Sequence, residues 1–305
     1  MTVGELSNAE LRGLLRTQRF TLRIGPFLVR LRSVMPEVQA ALAVLYCAHE
    51  IDTGADGAHF VIRVDHPGIA RRFFRAQVQF TLDSRQPFFP LPASMAAPML
   101  EAGLNWCIGK SANQFLVIHS ATLERDGRAL LMPAPPGSGK STLCAALVAR
   151  GWRLLSDEFA LVDPATGMLV PVPRPVALKD ASIDVIARWA PDALLGPSVV
   201  NNEGELVAYM RPPAASVRES NVTCRPGWIV VPQYLAGADA TATPMTRARA
   251  LMHLADNSFN YNFHGRLGFE RLAGIADRAP AVTLRYSRLD EGVEAVDRLA
   301  RTSAP

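Results

Sequence analysis

The chain has few cysteines. The four among its 305 residues (Cys47, Cys107, Cys144 and Cys224) lie far apart and form no Cys-x-x-Cys pair. That spacing argues against a disulfide framework or a zinc site and suits a reducing cytoplasm. A long apolar run is also missing. The best candidate, Leu91 to Ile108, is broken by Pro98, Glu101 and Asn105 and falls short of the ~20 residues a membrane span needs. Met1-Thr2-Val3-Gly4-Glu5-Leu6 has no basic region leading into an apolar one, so no signal peptide is expected. Neither charge sign dominates. Lys and Arg number 32 against 28 Asp and Glu, giving a net charge of +4 and a pI of about 9.1. The arginines are spread along the chain, and no dense basic cluster with interleaved aromatics is singled out, so nucleic acid is not an expected partner. There is no repeat and no low-complexity tract. With 49% hydrophobic residues, the chain can build one large core or two domains.

The pattern along the chain predicts an α/β protein of mixed α+β character in two parts. Residues 1–112 read as a smaller N-terminal α+β domain. After a polar arm or short helix over 1–19, Phe20–Ile24 and Phe27–Arg32 alternate as strands, separated by Gly25-Pro26. Pro36-Glu37 opens a helix with the stripe Val38, Ala41, Leu42, Leu45, Tyr46. Phe60–Val64 and Val78–Leu82 alternate again. His49, His59 and His66 show no ligand spacing and read as ordinary surface or strand histidines. Pro87 to Pro92 reads as a linker or lid. A helix follows with Leu100, Leu104, Cys107 and Ile108 on one face, where Trp106 is expected to pack. Residues 113–305 read as the catalytic domain. Phe115 to Leu123 is expected to be one strand, Arg125-Asp126-Gly127 a hairpin turn, and Arg128–Met132 the returning strand.

That returning strand leads into Ala134-Pro135-Pro136-Gly137-Ser138-Gly139-Lys140-Ser141-Thr142, followed by the helix-forming run Leu143 to Ala149. Strand, glycine loop, Lys-Ser and helix make the layout of a phosphate-binding P-loop. Gly137 and Gly139 allow backbone N–H groups to turn toward a phosphate. The helix start adds unpaired N–H groups and a positive dipole end. Lys140 would reach the outer phosphates and Ser141 would sit on Mg²⁺. Pro136, Ser138 and Thr142 complete the cradle, the last two as support. Ala134 stands where the usual motif has its first glycine.

Phosphoryl transfer needs a metal-holding acid and a base as well as a cradle. Asp157 and Glu158 follow the strand after the loop helix, which is expected to lie alongside the strand feeding the loop. Two adjacent acids allow one to face metal and the other an acceptor hydroxyl. His119, at a strand end before the hairpin, can assist proton transfer, contact phosphate or be structural. Arg174 and Lys179, in the extended basic segment Pro171 to Lys179, read either as phosphate or acidic-partner clamps or as solvated loop charges. Residues 180–224 are weakly patterned.

The segment from His119 through Pro136–Ser141 to Arg150-Gly151-Trp152-Arg153-Leu154-Leu155-Ser156-Asp157-Glu158 resembles bacterial HPr kinase/phosphorylase over about forty residues, with Glu158 in place of a second aspartate. Over nearly the whole chain the sequence is similar to the related family called HprK-related kinase A, through Gly103–Ile108, Pro133–Leu143 and Pro173-Arg174-Pro175. The resemblance implies a nucleotide core like that of phosphoenolpyruvate carboxykinase, ATP with Mg²⁺ as donor, and a serine or similar hydroxyl of a protein, peptide or carrier as acceptor. Asp157 would be the base and a metal neighbour, with His119 assisting. Lys140 and Ser141 would handle phosphate and metal, and Glu158 would complete the metal side.

The family's setting implies a PqqD-like partner, and its enzymes' hexamers imply a homo-oligomer. The Leu-Glu-x-Arg-Gly stretch associated with reverse phosphorolysis is absent, so that reaction is not expected, and the N-terminal section does not point to HPr as substrate. Two other readings stay open: a small-molecule kinase, and a non-catalytic ATP-binding partner in a biosynthetic complex. No oxaloacetate-binding residues are recognisable, which sets a carboxykinase reaction aside.

Overall fold

Phe20–Ile24 and Phe27–Ser33 pair antiparallel across Gly25 and Pro26 in the computed structural model, which describes residues 1–54 and 57–302. Every second side chain of Phe27–Ser33 is buried, as the alternation dictates. Phe60–Asp65 adds parallel to this strand, and Gln77–Leu82 and Leu91–Pro92 continue antiparallel. With Ile51–Asp52 on the other edge, the result is a mixed six-stranded sheet. Helices Pro36–Leu45 and Ala96–Ser111 bury their apolar stripes in the same core.

The proline-rich 87–92 segment is neither linker nor lid: Leu91 pairs with Val78, and Phe88 packs edge-on against both Phe80 and Trp106. His49 is not a surface histidine. It is 1% exposed, its Nε2 lies 2.9 Å from the Pro173 carbonyl, and burial pushes its pKa down to about 4. Val117, Phe159, Leu161 and Val172 also pack in this N-terminal core, so the apolar interior runs across residue 112.

A second mixed six-stranded sheet carries the glycine loop. Its order is Arg153–Ser156, Ala121–Arg125, Arg128–Met132, Arg225–Tyr234, Ala281–Tyr286, Thr241–Pro244. Arg128–Met132 runs parallel to Arg225–Tyr234, which runs parallel to Ala281–Tyr286. Arg153–Ser156 does not lie beside Arg128–Met132 as expected. The Asp126-Gly127 hairpin already fills that edge with Ala121–Arg125, so the returning strand pairs one position further out.

The segment expected to be one strand over 115–123 is two. Leu116–His119 belongs to a three-stranded sheet with Phe159–Val162 and Leu169–Val170, and Ala121–Arg125 belongs to the six-stranded sheet. The chain changes sheets at Ser120 and again between Ser156 and Phe159. These two crossings touch, with Ser120 N–H donating to the Glu158 carbonyl at 3.1 Å. They bring His119 beside the acid pair. In the weakly patterned stretch, helix Ala181–Trp189 packs near the loop helix, and Val176–Lys179 pairs with Leu206–Met210. Among the described residues no helix is long and apolar enough to cross a membrane.

Candidate functional site

Arg128–Met132 is an interior strand, buried beyond its first residue. It feeds a loop in which Gly137 has φ +80° and Gly139 φ +86°, a region that L side chains enter only with strain. At Gly139 space is also closed: a β-carbon there would lie 2.6 Å from Tyr286 Oη and 3.0 Å from Tyr234 Cβ. Tyr286 Oη donates to the Gly139 carbonyl at 3.1 Å, and Tyr234 N–H donates to the Ser138 carbonyl at 3.0 Å. Two residues from strands far along the chain therefore pin the loop. Helix Lys140–Ala149 begins immediately after it, and its first-turn N–H groups lack intrahelical partners.

A cavity of about 750 Å³ opens over this loop. Its walls include Pro136, Gly137, Gly139, Lys140, Ser141 and Thr142, with His119 and Glu158 on another side. Ser138 is not in the wall, and its hydroxyl is buried without a partner. A separate cavity of about 480 Å³, near Cys47, Trp189 and Arg211, contains none of the expected site residues.

Lys140 is 7% exposed. Its Nζ lies 2.7 Å from His119 Nε2 and 3.5 Å from the Ala134 carbonyl. Glu158 Oε2 approaches the same Nε2 at 3.4 Å, a charge contact with the lysine–imidazole pair. Nε2 thus meets both groups: it accepts from the Lys140 ammonium as the neutral imidazole and donates to Glu158 when it carries the proton. Burial lowers the Lys140 pKa, partly offset by Glu158 and Asp157. Burial pushes Glu158 upward, but His119 and Lys140 outweigh it and hold its pKa low.

Asp157 lies one layer beneath the cavity wall, 3% exposed. Its Oδ2 accepts from Ala177 N–H at 3.2 Å, and its Oδ1 is buried without a hydrogen-bond partner. Burial first, then the Glu158 charge, raises its pKa to about 7, against the pull of Lys140, the Ala177 N–H and Ser141. Two adjacent carboxylates are thus driven apart, one toward the proton-bound form and one toward the anion.

Arg174 is outside this group. It is buried and pairs with Glu101 at 2.8 Å and Asn105 at 2.7 Å, and Glu101 in turn accepts from Tyr46 Oη at 2.7 Å. It is neither a phosphate clamp nor a solvated charge. Lys179 does line the cavity, half-exposed and paired with Glu205 at 2.7 Å. The cavity also has residues the sequence did not flag: Tyr234, Tyr286, Val185 and Leu289. They come from segments 45 to 149 positions beyond Lys140, and no local motif marks them.

No protein-family model matches the chain, and a search of curated proteins finds no match.

Proposed function

We propose that the chain is an ATP-dependent phosphotransferase with a P-loop core, acting on a serine or similar hydroxyl of a protein, peptide or carrier. The observation that carries this reading is the buried Asp157 carboxyl, with Oδ1 unpartnered and its pKa raised by burial and by Glu158, next to Lys140 and Ser141 at the head of the glycine-loop helix. A base with a pKa near the working pH suits removal of a hydroxyl proton.

The residues fit Mg²⁺-ATP. Both loop glycines adopt the left-handed angles a phosphate cradle uses, and the adjacent cavity is large enough for a nucleotide. No described cluster of three or more His, Cys, Asp or Glu side chains forms a metal cage. Mg²⁺ in such sites is held by one or two protein groups plus substrate phosphates and water. Ser141 and Glu158 would hold it from the cavity wall, with Asp157 as a neighbour beneath. Bound there, the pair supplies the transferable phosphoryl group and neutralises its developing charge.

The chain's own residues do the rest. The loop N–H groups and Lys140 fix the phosphates, and Lys140 gives up its contact with His119 Nε2 to do so. Asp157 takes the acceptor proton. With Lys140 withdrawn, His119 Nε2 faces Glu158 at the cavity wall. As a hydroxyl kinase the protein uses positioning and charge and needs no covalent intermediate. The narrower HPr-kinase-like assignment, a PqqD-like partner and a homo-oligomeric state rest on sequence resemblance alone.

The test is γ-labelled ATP transfer to proteins encoded beside this one, read by mass spectrometry of the modified residue. Nucleotide binding is measured in parallel. Transfer is expected to require Mg²⁺ and to disappear in Lys140→Ala and Asp157→Asn with the fold retained. Full activity in Asp157→Asn would remove the base assignment. Tight ATP binding without transfer to any acceptor would leave a nucleotide-binding partner.

A further inference from the structure

The strands Phe60–Asp65 and Gln77–Leu82 are joined by a turn that includes the single helical turn Ala70–Phe73 and carries the sequence Ile69-Ala70-Arg71-Arg72-Phe73-Phe74-Arg75. This is a compact basic–aromatic cluster, contrary to the even spread of arginines inferred from composition. Ile69 is 86% exposed, Phe73 79% and Phe74 69%. Every residue from Pro67 to Ala76 is exposed, and the run from His66 to Ala76 contains no acid. Arg71, Arg72 and Arg75 form no ion pair with a described residue. Instead, the Arg72 guanidinium lies 5.5 Å from the Phe73 ring centre and that of Arg75 5.7 Å from the Phe74 ring centre.

We propose that this turn is a peripheral membrane-contact site that takes an anionic lipid surface. Three large apolar side chains left in water are costly unless something covers them. The three cations among them, none ion-paired with a described residue, call for a negatively charged cover. A seven-residue tip is too small to supply the roughly 800 Å² per partner of a stable protein interface. A bilayer needs no matching groove: apolar side chains enter the acyl boundary while guanidiniums lying alongside the rings stay at headgroup level. The site is peripheral and is compatible with a chain in which no described helix crosses a membrane. It is independent of the phosphotransfer reading.

The test is co-sedimentation of the full chain with sucrose-loaded vesicles, either of pure phosphatidylcholine or with about one-third phosphatidylserine. Wild type is expected to pellet with the anionic vesicles only, and less at high salt. Phe73→Ser and Phe74→Ser should each weaken binding about tenfold. Arg71→Gln, Arg72→Gln and Arg75→Gln should each weaken it about fivefold. These side chains lie in solvent, so an unchanged circular dichroism spectrum and melting point verify the fold. Wild type that stays in the supernatant, or pellets no better than the double phenylalanine variant, overturns the proposal. So does stronger retention on immobilised polyglutamate or oligothymidylate than on anionic vesicles, which would assign the turn to an acidic macromolecule.

Discussion

Lys140 and His119, 21 positions apart, are in direct contact: Nζ sits 2.7 Å from Nε2, with the Glu158 carboxylate on the same imidazole nitrogen at 3.4 Å. The lysine of the glycine loop is thus held by the strand end that precedes the hairpin. Lys140→Ala should lower ATP affinity at least tenfold, measured by fluorescent-nucleotide titration. His119→Ala should slow transfer by roughly 100-fold, and His119→Gln, which keeps an acceptor for Nζ, should slow it less.

Asp157 ties stability to pH. Its folded pKa of about 7 stands above the ordinary aspartate value of 3.8, so between these values the folded state binds the proton and the unfolded state does not. Stability therefore falls as pH rises through this window and levels off above about 7. Asp157→Asn, with no proton to lose, should flatten the fall and be more stable at pH 8 by a few kcal/mol. Urea unfolding at pH 5 and pH 8 measures this. With Mg²⁺ bound beside it the carboxyl deprotonates at lower pH than in the free protein, so wild-type transfer should rise with pH at a midpoint below that of the stability change. An unchanged pH profile of transfer in Asp157→Asn would move the base elsewhere.

Gly139 carries two constraints, φ at +86° and the approach of Tyr286 Oη and Tyr234 Cβ. Gly139→Ala should abolish nucleotide binding in a calorimetric titration. Adding Tyr286→Phe removes the hydroxyl but neither the Tyr234 Cβ nor the backbone strain, so binding should recover only in part. Gly137→Ala meets no atom within 4 Å and should cost about 1–2 kcal/mol, the price of the left-handed angle alone.

Arg174 and Glu101 form a buried pair that is not part of the cavity wall. Arg174→Ala leaves Glu101 uncompensated and should destabilise the fold by about 3–5 kcal/mol. Replacing both with apolar residues of similar volume should recover much of that loss. Chemical denaturation reads the stability, and ATP affinity of the folded fraction should not change.

Tyr234 is half-exposed at the cavity, with its ring edge-on to Tyr286 at 6.0 Å and 75°. An aromatic face there can stack on a nucleobase, a contact worth about 1–3 kcal/mol. Tyr234→Ala should weaken ATP by tenfold or more and leave inorganic tripolyphosphate unchanged. Equal loss for both would mean that the ring acts only by packing on Tyr286, since the Tyr234 N–H bond to the Ser138 carbonyl survives in alanine.

The sequence by itself determined the local elements. The alternation of Phe27–Ser33, the stripe of Pro36–Leu45 and the run from Arg128–Met132 through two glycines into Lys140–Ala149 are set by neighbours a few residues apart. Periodicity and turn chemistry read such features directly. Only the tertiary structure decided where the strands went. Both edges of Arg128–Met132 were taken by other strands, so the acid-bearing strand settled one place out. The chain changed sheets at Ser120 and after Ser156, and that put His119 against Lys140 and Glu158. Arg174 became a core ion pair because Glu101, 73 positions away, faces it. Tyr234 and Tyr286 reached Gly139 through parallel pairing of distant strands. Burial then did what no local pattern encodes: it lifted Asp157 to about 7 while its neighbour Glu158 stayed low.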